Sequence, residues 1–157
     1  MPMTRARIEA AGIVLARVIV AAVFVFAAWS KLTDPHSFAE AIANYHLVPD
    51  SVSSVAAAVL PVLEVVIALA LVAGVNVRGA AMLAGAMLLV FAIAMITTIA
   101  RGINLDCGCF GASAASQVNV GSVARNVVLA LASFAISATR AISYRELLTG
   151  QAAPRHD

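Results

Sequence analysis

Charge is what this sequence has least of. Only 11% of its 157 residues are Asp, Glu, Lys or Arg, while 62% are hydrophobic, and the mean hydropathy is +0.98. A soluble domain of this size is about 45–50% apolar and about 25% charged, so the composition excludes a water-soluble globule and implies a membrane protein. A formal net charge of +2, with no dense basic tract, gives nucleic acid nothing to bind. Cysteine is nearly absent too. The chain has two, Cys107 and Cys109, in the single stretch Leu105 to Gly111. The apolar segments leave no room for a separate soluble domain, so one membrane-embedded domain over residues 1–157 is expected, with the lipid bilayer as its first partner.

What is present in quantity is long apolar runs. Crossing a bilayer takes roughly 20 residues of helix, and four segments are long enough: about 10–30, 52–75, 79–100 and 118–139. Valine and isoleucine are plentiful, but each run far exceeds a strand of about 4–8 residues, which decides for helices. The expected fold is all-α, a four-helix transmembrane bundle. The first run follows Arg5 and Arg7 as a secretory signal would. It is longer than an h-region of about 7–15 residues, and Trp29 stands where a small residue is favoured for cleavage, so it reads as a retained span.

Lys and Arg set the expected orientation. Arg5, Arg7, Arg78, Arg140, Arg145 and Arg155 fall on one side, and Lys31, Arg101 and Arg125 on the other. This puts both termini in the cytoplasm of a bacterium, the chain in the inner membrane, and the cysteine loop outside, where disulfides form and persist. In the first outer loop, Asp34-Pro35 has the form of an N-cap followed by proline at the first helical position. Phe38, Ile42 and Tyr45 then share one helical face and Pro49 closes the segment. A short interfacial helix is expected there, over the mouth of the bundle.

Two cysteines one residue apart close only a very small ring. A disulfide asks for Cα atoms about 4.4–6.8 Å apart, which a one-residue spacer meets only in a particular turn; Gly108 and Gly111 supply the φ freedom. Such a ring gains little from loop closure and is strained, hence readily reduced, which is the physical case for a redox-active pair. Two other readings stay open. One is a static disulfide that pins the loop. The other is a soft-metal site, since close thiolates suit Cu(I), with His36 and His46 of the first loop available to complete it. Asp106 disfavours a thiolate and Arg101 favours it.

Glu64 is the second chemically loaded residue. It lies mid-span, one turn after Pro61, where a charge costs at least about 2.5–3.5 kcal/mol. Arg17 in the first span is at a comparable depth, so an intramembrane Arg17–Glu64 pair is expected, holding two helices in register or passing a proton. Arg125 and Asn126 stand near the outer start of the fourth span, within reach of the cysteine loop, of Asp106 or of headgroups. Trp29 and Lys31 fit an aromatic and basic belt at the interface. Met82, Met87 and Met95 read as packing, and Gly74, Gly79 and Gly85 as close helix approach.

Several strings in this order resemble the MauE family, close to the DoxX-like membrane proteins. They are Ser30-Lys31-Leu32-x-x-Pro35-x-x-Phe38, Tyr45-x-Leu47-x-Pro49, Leu60-Pro61-x-Leu63-Glu64, Arg101-Gly102-x-x-x-Asp106-Cys107-Gly108-Cys109-Phe110-Gly111 and Arg125-Asn126. The resemblance implies a four-helix membrane protein tied to thiol–disulfide chemistry outside the cytoplasm, alongside a thioredoxin-like partner. The leading expectation is a component of an extracytoplasmic thiol–disulfide relay, with Cys107 and Cys109 exchanging, supported by Asp106, Gly108, Phe110, Gly111, Arg101, Arg125 and Asn126. A quinone is the cofactor a membrane oxidase would use, but the sequence requires none. A single cysteine pair argues for a relay component over an independent quinone-reducing thiol–disulfide oxidoreductase. The alternative is a non-catalytic accessory or assembly subunit of a larger membrane complex, such as a respiratory one, with a structural disulfide.

Overall fold

The structure is a computed structural model that describes residues 2–45, 49–101 and 120–139. Every described element is an α-helix: α1 (Pro2–Thr33), α2 (Pro35–Asn44), α3 (Asp50–Ala73), α4 (Val77–Ala100) and α5 (Val120–Ala138). Four of these are long and apolar enough to cross a membrane, over Ala10–Thr33, Ser51–Ala73, Val77–Ala100 and Val120–Ala138. The expected spans hold to within a few residues. Helices suit a hydrocarbon surround because each satisfies its own backbone hydrogen bonds.

Local chemistry fixes the joints. Asp34 caps α2 by accepting the Ser37 N–H at 3.1 Å, with Pro35 at the first helical position. Phe38 on the inner face is buried. Pro49, expected to close this segment, instead opens α3 as its N-cap. Between α3 and α4 the chain reverses over Gly74 to Asn76. Gly74, in the left-handed region at φ 75, closes α3 with its N–H on the Ala70 carbonyl. That conformation favours a residue without Cβ, so this glycine ends a helix where close helix approach was expected.

The four spans alternate in direction and form a closed ring, α1 against α3, α3 against α4, α4 against α5 and α5 back on α1, with α1 and α4 diagonal. In lipid, helices gain little from hydrophobicity alone and associate by close packing of small residues. The α4–α5 seam follows this rule. Ala81, Ala84, Ala130 and Ser133 are fully buried, and a Cβ on Gly85 would come within 2.9 Å of the Phe134 ring. The seam hydroxyls turn back on their own helices, Ser133 onto the Leu129 carbonyl and Thr98 onto the Ala94 carbonyl, so they bring no unpaired polar atom into the packing. Met87 and Met95 pack inward, whereas Met82 is exposed. Valines and leucines such as Val59, Val62, Val66 and Leu69 cover the outside of α3, an apolar surface that water would not tolerate and a bilayer accepts. At one end of the bundle, the α2 end, α2 packs against α3.

Candidate functional site

Three polar or charged side chains, Lys31 of α1, Glu64 of α3 and Asn126 of α5, are buried around one cavity, and Arg17 is buried farther down α1. The expected Arg17–Glu64 pair is not formed. Glu64 accepts instead from Lys31, whose Nζ lies 2.5 Å from Oε1, with both residues 2% exposed. Arg17, 1% exposed, donates to the Leu71 carbonyl at 2.7 Å. The reason lies in helix geometry. Side chains lean towards the N-terminus of their own helix. Near the C-terminal end of α1, Lys31 therefore leans back into the bundle, away from the surface belt expected for it. Glu64, on antiparallel α3, leans towards the α2 end and meets it. Arg17 leans the other way, down α1, where the last four carbonyls of α3 lack helical partners.

Aromatic rings complete the Lys31 environment. Its Nζ lies 5.2 Å from the Phe38 ring centroid and 5.5 Å from that of Phe91, distances at which a cation gains from the ring faces. Phe38 comes from α2 and Phe91 from α4, so the ammonium is enclosed by groups of four helices. Trp29, two residues earlier, is 68% exposed on the outside of α1.

Beside the pair lies a cavity of about 30 Å³, lined by Lys31, Glu64, Asn126 and Phe91 over Phe24 and Leu88. Asn126 enters it from α5 and is 4% exposed. Two of the polar atoms here, Glu64 Oε2 and Asn126 Nδ2, have no hydrogen-bond partner among the described residues.

The remaining expected site residues are distributed as follows. Arg101 ends α4 at the α2 end, is exposed, and donates to the Tyr45 carbonyl at 3.2 Å, tying α4 to the end of α2. Arg125 is exposed on α5. Asp106, Cys107, Gly108, Cys109, Phe110 and Gly111 lie outside the described residues, as does His46; the segment that carries the cysteines joins Arg101 to Val120, both at the α2 end. His36 is exposed, 3.4 Å from Glu40 on the next turn. Among the described residues no group of three potential metal ligands comes together. Asp34, also exposed, has its carboxyl held below the usual range by hydrogen bonds from the Ser37 hydroxyl and N–H, and His36 nearby adds to this.

Lys31 is the site residue that the charge reading misassigned. Its signal was present in the Ser30-Lys31-Leu32 string and in its position two residues before the end of α1.

Residues 9–139 match the family described as Methylamine utilisation protein MauE. The chain belongs to the MauE family. The Methylamine utilization protein MauE of Paracoccus denitrificans is 40% identical over 122 residues, covering 77% of this chain and 66% of the relative. That of Paracoccus versutus is 37% identical over 114 residues, covering 72% and 61%. That of Methylorubrum extorquens is 36% identical over 112 residues, covering 71% and 60%. The chain thus spans somewhat under two thirds of the length of these MauE relatives. No solved structure matches it. The matched region contains all four spans, the Lys31–Glu64–Asn126 cluster and the cysteine segment.

Proposed function

We propose that this MauE-family protein is a membrane-embedded component of an extracytoplasmic thiol–disulfide relay, exchanging its Cys107–Cys109 pair with a thioredoxin-like protein or a client. The relay serves methylamine utilisation, the process for which its three relatives are named. In each cycle a partner thiolate attacks one sulfur of the Cys107–Cys109 disulfide and the other sulfur leaves as a thiolate. The partner's second thiol then resolves the mixed disulfide. Two electrons pass from the partner to the pair, which ends reduced while the partner ends oxidised. The observation that carries this reading is that the whole thiol inventory sits as Cys-Gly-Cys on the segment between Arg101 and Val120. The asymmetry of Lys and Arg supports a bacterial inner-membrane setting with that segment outside and both termini in the cytoplasm. Glycine spacing supports a ring that opens readily.

Thiol trapping on intact cells tests the reading. The wild-type pair should change between blocked and free states on addition of reductant, and Cys109→Ser should accumulate a mixed disulfide through Cys107. A pair that stays oxidised until the protein is denatured would make the chain a non-catalytic subunit with a structural disulfide. Metal bound at one equivalent would make it a metal-handling protein. A topology reporter fused after Gly111 that reads as cytoplasmic would overturn the orientation.

A further inference from the structure

We infer that Glu64 and Asn126 form a built binding site for one water-sized neutral molecule, water itself by volume, held between α3 and α5 beside Lys31. The bound molecule donates to Glu64 Oε2 and accepts from Asn126 Nδ2.

Three observations converge on this site. The first is an unspent acceptor. A carboxylate has about four lone-pair positions, and among the described residues Lys31 donates to Oε1 while Oε2 is buried without a partner. The second is an unspent donor: an asparagine amide nitrogen carries two N–H groups, and Asn126 Nδ2, on a different helix, is equally buried and equally unsatisfied. The third is a space between them of the right size. The cavity they line measures about 30 Å³, and a water needs roughly 10–15 Å³ of such volume and two to four polar partners.

The donor and acceptor are complementary, so the molecule that satisfies both must carry one of each. An ion does not fit this description. The Lys31 ammonium already balances the Glu64 charge, and the aromatic rings of Phe38 and Phe91 lie against its Nζ. Apolar ligands of this size would leave both polar atoms unpaired, the costly outcome in a low-dielectric interior. The ligand class is therefore neutral, small and amphoteric in hydrogen bonding. With it in place, α1, α3 and α5 are joined by one continuous polar chain, from Lys31 through Glu64 and the bound molecule to Asn126. This site depends only on the described spans and stands whether or not the cysteines turn over.

The experiment is infrared spectroscopy on the full chain in lipid nanodiscs, in D₂O and in D₂¹⁸O. We expect an O–D stretching band that shifts with ¹⁸O in the wild type and disappears in Asn126→Leu, which removes the donor and fills the space. Asn126→Ser keeps a donor and room for the water, and the band should persist there. Because Asn126→Leu strains the core, Glu64→Gln provides a second arm: it keeps the side-chain shape, and the band should move as the acceptor weakens. An ¹⁸O-sensitive spectrum identical in the wild type, Asn126→Leu and Glu64→Gln would overturn the site. So would a structure at water-resolving resolution in which Glu64 Oε2 and Asn126 Nδ2 bond directly to each other.

Discussion

The two ends of the bundle each bury a cation, and they use it differently. At the end away from α2, Arg17 donates to the Leu71 carbonyl and Arg78 to the Ser137 carbonyl at 3.1 Å. Both acceptors lie near the C-terminal end of a helix, where backbone carbonyls lack helical partners and the helix dipole favours positive charge. Those cations complete the backbone. Towards the α2 end, Lys31 donates to a side-chain carboxylate in the middle of α3, away from the unpaired carbonyls of a helix end. Nothing in the fold requires Glu64 there, and half of its hydrogen-bonding capacity faces a cavity. One end directs its cations at helix-end carbonyls, and the other directs its cation at a side-chain carboxylate beside a cavity. In a membrane interior, where each charge is expensive, that contrast separates scaffold from site.

The sharpest way to break the contrast is to remove one member of the Lys31–Glu64 pair. Lys31→Met leaves a buried carboxylate alone and should destabilise by about 3–5 kcal/mol, whereas Lys31→Met combined with Glu64→Leu should recover most of that loss. Thermal unfolding in detergent micelles measures both. A double variant no better than the single would mean that the pair is needed for packing shape rather than charge balance. Next in size is Arg17→Met, which strips the Leu71 carbonyl and should cost about 1.5–3 kcal/mol. Arg78 is exposed, so Arg78→Met should stay within about 1 kcal/mol; equal losses for the two arginines would mean that burial does not set the worth of these carbonyl contacts. The smallest effect concerns α2. The Asp34 carboxyl is held below its usual range by the Ser37 hydrogen bonds, so the cap is fully present above the ordinary carboxylate range. It is lost as pH falls through the lowered value. Amide exchange at Ser37, corrected for its intrinsic rate, should speed up at low pH in the wild type and show no such transition in Asp34→Asn, whose amide oxygen still caps.

The spans, the capped helix α2 and the tight α3–α4 reversal were legible because they rest on runs of twenty residues or on capping chemistry within four. The buried pairing was harder. Depth along a span, counted at about 1.5 Å per residue, matched Arg17 with Glu64 and left out the lean of each side chain. That lean turns Arg17 away from Glu64 and Lys31 towards it, over separations of several ångströms that decide which cation arrives. Asn126 was visible as a polar residue near the start of a span, but its place on the cavity that Glu64 also lines depends on how α5 closes the ring against α1. No local pattern encodes that closure. The glycines divided by context: Gly85 admits the Phe134 ring, while Gly74 serves the turn.

The lengths of three helices bear on the surrounding lipid. The spans on α1, α3 and α4 run to 23 or 24 residues, which at about 1.5 Å per residue gives roughly 35 Å. That exceeds a hydrocarbon core near 30 Å, so these helices must lean or carry their ends among the headgroups. A thinner membrane would therefore reach the bundle as added tilt of α1, α3 and α4.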